Sequence, residues 1–313
     1  MSLTLSQALA RVPMWHGARD LKTTPLGGGI TNQNFRVDAN GESFVLRIGG
    51  ADTELLGIDR RVEHAAHQAA ARIGIAPEVV YFIEPEGYLV TRFLTARPIP
   101  RAEIGTRENI ARVAAALKQI HALPALAATF SPFRTIEDYA ATAQTYGVAM
   151  PANFAWLKGR LREMEAAFAR ESFIPRLCHN DLLNENFLDD GNIRIIDWEY
   201  AGMGDVAFDL ANFAAHHQLD EEQERILLEE YYRPNPPAPF PEMEGGGSSL
   251  LLGEGLGERS ARHKLMKIAS DLREAMWAMV QIGISKLDFD FRVYADKHFA
   301  RAEEMLINSR NER

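Results

Sequence analysis

The stretch Leu177-Cys178-His179-Asn180-Asp181-Leu182-Leu183-Asn184-Glu185-Asn186-Phe187-Leu188 constrains this chain more than any other. It contains the spacing His-x-Asp-x-x-x-x-Asn through His179, Asp181 and Asn186. Eleven residues past Asn186 a second acid, Asp197, follows the β-branched pair Ile195 and Ile196. Between them lies Asp189-Asp190-Gly191-Asn192, whose residue types favour a tight turn. The pattern reads as a loop bearing His, Asp and Asn that runs into a hairpin ending on an acid.

Phosphoryl transfer to an alcohol needs this set of groups. A carboxylate must accept the hydroxyl proton and aim the oxygen at a γ-phosphate, and Asp181 fits. Hard oxygen ligands must hold Mg2+ between the phosphates, and Asn186 and Asp197 fit. The Asp-to-Asn spacing matches the kinase catalytic loop, and Asp197 takes the place of its metal-binding acid. His179 belongs to the same catalytic loop, where an isolated histidine reads as a structural hydrogen bonder rather than a base. Catalysis of this kind is mostly positioning and charge neutralisation, so few side chains are required.

The surrounding chain supplies two lobes. Residues 1–95 read as a mostly β lobe: strands over 23–26, 34–37 and 43–48, a helix over 59–73, and strands over 79–83 and 88–93. Gly27-Gly28-Gly29 precedes the second strand, and Asn40-Gly41 between the second and third is a strong hairpin turn signal. Residues 96–313 read as a larger helical lobe, with helices over 107–121, 152–170, 208–217, 221–232, 264–284 and 289–307. The fold expected is α+β, two-lobed and protein-kinase-like, with a small β-rich N-lobe that covers a nucleotide. Residues 234–262 interrupt it with Pro- and Gly-rich sequence and read as a flexible insertion.

Seven pieces occur in one order along nearly the whole chain outside 234–262. They are Gly27-Gly28-Gly29-Ile30-Thr31-Asn32-Gln33-Asn34-Phe35, Val45-Leu46-Arg47-Ile48, Asp59-Arg60-Arg61-Val62-Glu63, the His179 loop, Ile196-Asp197-Trp198-Glu199-Tyr200-Ala201, Phe208-Asp209-Leu210-Ala211-Asn212 and Trp277-Ala278-Met279-Val280-Gln281. Together they resemble the choline/ethanolamine kinase branch of the aminoglycoside phosphotransferase-like superfamily. The resemblance implies ATP and Mg2+ as cofactors. It implies that Gly28, Gly29, Thr31 and Asn32 fold over the phosphates. It implies that Arg47 stands where kinases place the strand cation that contacts the phosphates, steadied by Glu63. Without the resemblance, Arg47 and Glu63 read equally as a surface ion pair. Asp209 is implied to brace the catalytic loop.

The same resemblance implies a small amino alcohol as acceptor. A quaternary ammonium is recognised by aromatic faces and nearby carboxylates. Trp277 matches the second of two family tryptophans, but Glu274 stands where the first would be and Asp205 replaces a third aromatic. Glu199, Asp205, Glu274 and Trp277 are therefore the substrate candidates, in a box where acids replace rings. Two readings remain open: choline held by charge, or an amine with N–H donors such as ethanolamine. Trp277 also reads as a core tryptophan of an amphipathic helix. A kinase for thiamine or an aminoglycoside, and a nucleotide-binding pseudokinase, are the competing functions; the intact Asp181, Asn186 and Asp197 weigh against the last.

Charge and composition fit a cytoplasmic enzyme. Lys and Arg number 34 against 43 Asp and Glu, a formal charge of -9, which disfavours nucleic-acid and anionic-membrane partners. The single cysteine, Cys178, excludes an internal disulfide and fits a reducing compartment. No apolar run approaches a membrane span. Oligomeric state leaves no trace in the sequence.

Overall fold

The Asn-Gly turn organises the N-terminal lobe. In the computed structural model, which describes residues 3–27, 32–50, 52–168, 173–234 and 256–311, Asn40 and Gly41 both have positive φ, 56° and 78°. This is the conformation a two-residue hairpin turn requires, and it joins β2 (Gln33–Ala39) to β3 (Glu42–Ile48). With β1 (Lys22–Leu26), β4 (Val79–Ile83) and β5 (Tyr88–Arg92) they form an antiparallel sheet of order β1-β2-β3-β5-β4. Strand alternation then sorts β3 by face. Phe44, Leu46 and Ile48 are buried in a core shared with Trp15, Val37 and Val90, to which α1 (Leu5–Ala10) contributes Ala8. Arg47 falls on the opposite face, towards α2 (Arg60–Arg72). Asp59 caps α2 by accepting from the N–H groups of Arg61 and Val62, which sets Arg60 and Glu63 one turn apart on its first turn.

Beyond β5 the chain crosses to the helical lobe through β6 (Arg97–Pro98) and α3 (Arg101–Ile104). Helices α4 (Arg107–His121), α5 (Pro132–Thr145) and α6 (Phe154–Phe168) follow. Short strands β7 (Arg176–Cys178), β8 (Phe187–Asp189), β9 (Ile193–Ile195) and β10 (Gly202–Gly204) frame the loop of interest. β8 and β9 form the expected hairpin, with β6 on its outer edge, while β10 returns to pair with β7. Helices α7 (Val206–His217), α8 (Glu221–Tyr232), α9 (Leu256–Ile284) and α10 (Phe291–Asn311) complete the lobe. Its larger core joins α5, α6, α7, α9 and α10; a second joins α4, α8 and the short strands.

The helix α5 is not anticipated by the sequence reading, although Ser131 caps it and Pro132 opens it, both ordinary start signals. The helix α9 begins at Leu256, so residues 256–262, placed in the insertion on composition, are helical; residues 235–255 lie outside the described residues. That early start has a function. Arg262 is buried, and its Nε and Nη2 donate to Asp205 Oδ2 at 2.8 and 2.6 Å. Asp205 Oδ1 accepts from the Ala207 N–H at 2.9 Å and caps α7.

Arg262→Ala leaves the buried Asp205 carboxylate without its cation. Breaking such a pair costs about 3–5 kcal/mol, so the thermal unfolding midpoint is expected to fall by several degrees. Shortening confined to residues 236–254 is expected to leave the midpoint in place, on their Pro- and Gly-rich, linker-like composition. An unchanged midpoint in Arg262→Ala would show that the pair carries no stability.

Candidate functional site

The loop between β7 and β8 is held from below by one carboxylate. Asp209, on the first turn of α7 and inaccessible to solvent, accepts from the N–H of His179 at 2.8 Å and of Asn180 at 2.7 Å. Its Oδ2 also takes the Nε2–H of His121 at 3.0 Å, while His121 Nδ1 accepts from the Tyr231 hydroxyl at 2.7 Å. Burial raises the Asp209 carboxyl, but these donors more than offset it and hold the group below its ordinary value. Asn212, one turn further along α7, accepts from the Leu182 N–H at 2.6 Å. Asn180 turns through a positive φ of 66° and anchors by donating to the Tyr200 carbonyl at 2.9 Å.

On this footing Asp181 is presented to the cleft. Asn186 donates to the Asp181 carbonyl at 2.8 Å, which leaves its amide oxygen for a cation. His179 accepts from the Asp181 N–H at Nδ1 and donates from Nε2 to the Ile196 carbonyl at 3.0 Å. Burial pushes the imidazole down to about 4. Both ring nitrogens are thus committed to backbone groups in a neutral ring. Burial raises the Asp181 carboxyl to about 7, with Arg273 drawing it down and Glu274 pushing it up.

Asp197 also sits at positive φ, 66°, which turns its carboxylate from the end of the hairpin back towards the N-lobe. There Arg47 Nη1 donates to Asp197 Oδ1 at 2.8 Å, and Arg47 Nη2 pairs with the buried Glu63. The register of β3 and the cap of α2 bring these three together. Arg60 extends the cluster, donating to Glu63 at 2.8 Å and to Glu199 at 3.0 Å. Asn32 donates to the same Glu199 oxygen at 3.0 Å. Arg60 is quoted in the sequence motif without a role; its link to Glu199 spans the lobes and is invisible locally. Gly28, Gly29 and Thr31 lie outside the described residues. Burial raises Asp197 to about 6, as does Glu199, against the pull of Arg47 and Arg60. Asn186 and Asp197 carry hard oxygen atoms of the kind that Mg2+ takes as ligands, while Glu199 Oε2 is engaged by Arg60 and Asn32.

The four substrate candidates separate. Glu199 is bound to Arg60 and Asn32, both of the N-lobe. Asp205 is fully engaged by Arg262 and its capped helix. Trp277 and Glu274 share α9 as expected. Trp277 packs edge-on against Phe291 and Tyr294 of α10, ring centres 5.9 and 6.0 Å away. Glu274 accepts from the Tyr294 hydroxyl at 3.0 Å and from Arg273 Nη1 at 2.7 Å. Burial raises Glu274, but Arg273 more than offsets it and holds the carboxyl below its usual range. The same Nη1 donates to Asp181 Oδ1 at 2.9 Å. Tyr294, Phe291 and Arg273 are residues the sequence reading does not name. His216 lies near as a neutral ring, pushed down to about 3 by burial. Oxygen and nitrogen atoms of Asp181, His216 and Glu274 lie within 4.8 Å of one another.

The model of the phosphotransferase enzyme family matches residues 22–240, which include the glycine loop, the Arg47 strand, the Asp181 loop and Asp197. The chain belongs to this family. It is similar to the protein LicA of Haemophilus influenzae, at 30% identity over 65% of this chain and 61% of that protein, so the match spans less than two thirds of the relative's length. It is 26% identical to ethanolamine kinase 2 of Rattus norvegicus over 90% of this chain and 75% of that protein. Among solved structures, a choline/ethanolamine kinase family protein from Mesorhizobium loti superposes with a TM-score of 0.75 at 29% identity, covering 95% of this chain and 92% of the other. Choline kinase LicA of Streptococcus pneumoniae shares the fold, with a TM-score of 0.74 at 22% identity over 93% and 95%. These relatives carry the two-lobed kinase-like architecture. Among the described residues no helix is long and apolar enough to cross a membrane.

A base must be ionised to take a proton. With Asp181 at about 7, the acceptor kcat/KM is expected to rise with pH through about 7 and level off above it. The opposite sign holds for stability of the ligand-free protein. Asp181 and Asp197 keep protons when folded that an unfolded chain releases near 3.8, so their contribution is complete below that value and lost as pH rises through about 6 and about 7. A kcat/KM flat from pH 5.5 to 8, roughly the span over which that group changes state, would exclude Asp181 as the titrating base.

Proposed function

We propose that this protein transfers the γ-phosphoryl group of Mg-ATP to the hydroxyl of a small cationic amino alcohol, ethanolamine or choline. The observation that carries the reading is the position of Asp181. It stands on a loop fixed by Asp209, with the Arg47–Asp197 pair at the other end of the β8–β9 hairpin and Glu274 of the Trp277–Tyr294–Glu274 cluster joined to it through Arg273.

Each group then has a task. Arg47, steadied by Glu63, holds phosphate oxygens with a cation that stays charged at any accessible pH. Asn186 and Asp197 would hold Mg2+, which would supply neutralisation of phosphate charge. Asp181 keeps Oδ1 on Arg273 and offers Oδ2 to the acceptor hydroxyl, taking its proton as the new O–P bond forms. Trp277 and Tyr294 supply aromatic surface for the ammonium. The neighbouring acceptors on Asp181, Glu274 and His216 favour an ammonium with N–H donors, which supports ethanolamine over choline. The protein is expected to act in the cytoplasm on this small-molecule partner.

Asp181→Asn is expected to lower kcat by at least ~10²–10⁴-fold with ATP affinity nearly unchanged. Retention of more than about a tenth of wild-type kcat would take the base role from Asp181. Trp277→Ala is expected to raise the acceptor KM by ~2–30-fold, the equivalent of a cation–π contact of ~0.5–2 kcal/mol. ATP turnover with ethanolamine, choline, thiamine, an aminoglycoside and a neutral sugar separates the substrate classes. Turnover of the sugar with none of the cationic alcohols would overturn the acceptor assignment.

A further inference from the structure

Arg273 is more deeply buried than Asp181 and Glu274 beside it, 1% exposed. Its Nη1 donates to Asp181 Oδ1 at 2.9 Å and to Glu274 Oε1 at 2.7 Å. Its Cζ lies 4.3 Å from the centre of the Tyr200 ring. One end and one face of the guanidinium are therefore used. Its Nε and Nη2 are buried and have no hydrogen-bond partner among the described residues. Those two nitrogens share one edge of the planar group. Their N–H bonds run parallel, in the fork that matches two oxygens of a carboxylate or a phosphoryl group. A buried charged donor is costly to leave unpaired, and buried polar groups are in general satisfied.

Asp181 and Glu274 together carry two negative charges against the one positive charge of Arg273, so the cluster becomes neutral only when Asp181 takes a proton; what it offers an anion is the unpaired Nε–Nη2 donor edge. The fixed contacts of Arg273 through Nη1 also aim the remaining edge, since a planar group held at one end has little freedom at the other.

We propose that the Nε–Nη2 edge of Arg273 is an oxyanion subsite of the acceptor pocket. The inference rests on the amino-alcohol kinase reading of the same pocket and specifies the chemistry it handles. The oxyanion is either a carboxylate on the acceptor itself, which makes the acceptor a hydroxy amino acid, or the phosphoryl oxygens of the phosphorylated product. The first binds before transfer. The second forms when the acceptor oxygen has bonded to phosphorus, the bond from phosphorus to ADP has broken, and the hydroxyl proton has passed to Asp181.

The test compares wild type with Arg273→Lys and Arg273→Met. Lysine keeps a cation beside Asp181 and Glu274 but has no planar fork, so it guards against a variant that fails to fold; unfolding midpoints check this. Steady-state kcat/KM is measured with ethanolamine and with L-serine, which adds a carboxylate to the same amine-to-hydroxyl spacing. Affinity for O-phosphoethanolamine and for ethanolamine is measured by calorimetry. A charge-assisted bidentate pair corresponds to about tenfold or more. If the carboxylate is the ligand, wild type prefers L-serine by about that factor and Arg273→Lys abolishes the preference. If phosphoryl oxygens are the ligand, Arg273→Lys weakens O-phosphoethanolamine by about tenfold while ethanolamine affinity holds. If Arg273→Lys changes neither the serine-to-ethanolamine ratio nor the phosphoethanolamine affinity, the subsite is overturned, even with ethanolamine turned over normally. Should wild type turn over neither alcohol and still bind O-phosphoethanolamine more tightly than Arg273→Lys, the kinase reading fails and the subsite stands.

Discussion

The buried carboxylate of Asp209 is the interaction on which the candidate site rests. A loop at the bottom of a cleft must present polar side chains upward, so its own backbone N–H groups face the core. Left unpaired there, each would be costly. Asp209 satisfies two of them with two oxygens, and the Nε2–H of His121 adds a third donor. With the backbone of residues 179 and 180 thus pinned, Asp181 can only point into the cleft. The helix that carries Asp209 is in turn capped by Asp205, whose charge is met by Arg262. A chain of buried polar contacts therefore runs from the start of α9 to the candidate base.

The second organising element is the ion cluster between the lobes. Arg47 and Arg60 face Glu63, Asp197 and Glu199, two positive charges against three negative. A nucleotide triphosphate with a divalent cation would enter this cluster by exchange. The arginines would turn to phosphate oxygens, and Asp197 would be freed to hold the metal. The raised carboxyl of Asp197 fits such a role, because a nearby dication favours its ionised form. Exchange of this kind also couples nucleotide binding to the relative placement of the lobes, since Arg47 and Asp197 belong to different ones.

Local chemistry made part of this legible in the sequence. Asn40-Gly41 specifies its turn by backbone conformation, so the β2–β3 hairpin and the facing of Arg47 follow. The spacing of Asp181, Asn186 and Asp197 reflects a loop and a hairpin contiguous in the chain, and it could be read directly. What could not be read is long-range. Arg273 meets Asp181 across 92 residues, and Tyr294 meets Glu274 across 20, from a different helix. Nothing in the composition of α9 marks one arginine as buried beside a base. The partners of Asp205 and Glu199, Arg262 and Arg60, are likewise distant in the chain. Composition also misplaced the start of α9, because the glycine-rich segment before it masks the helical pattern of residues 256–262.

The proposed role of Asp197 as a metal-binding acid is the point at which this geometry bears most directly on phosphoryl transfer. Calorimetric titration of ATP, with and without Mg2+, into wild type and Asp197→Ala measures it. Wild type should bind more tightly with Mg2+, and Asp197→Ala should lose that gain while Arg47, steadied by Glu63, keeps a weaker, metal-independent affinity. Equal affinity of the two proteins for ATP at saturating Mg2+ would contradict the assignment of Asp197 and, with it, the kinase mechanism built around Asp181.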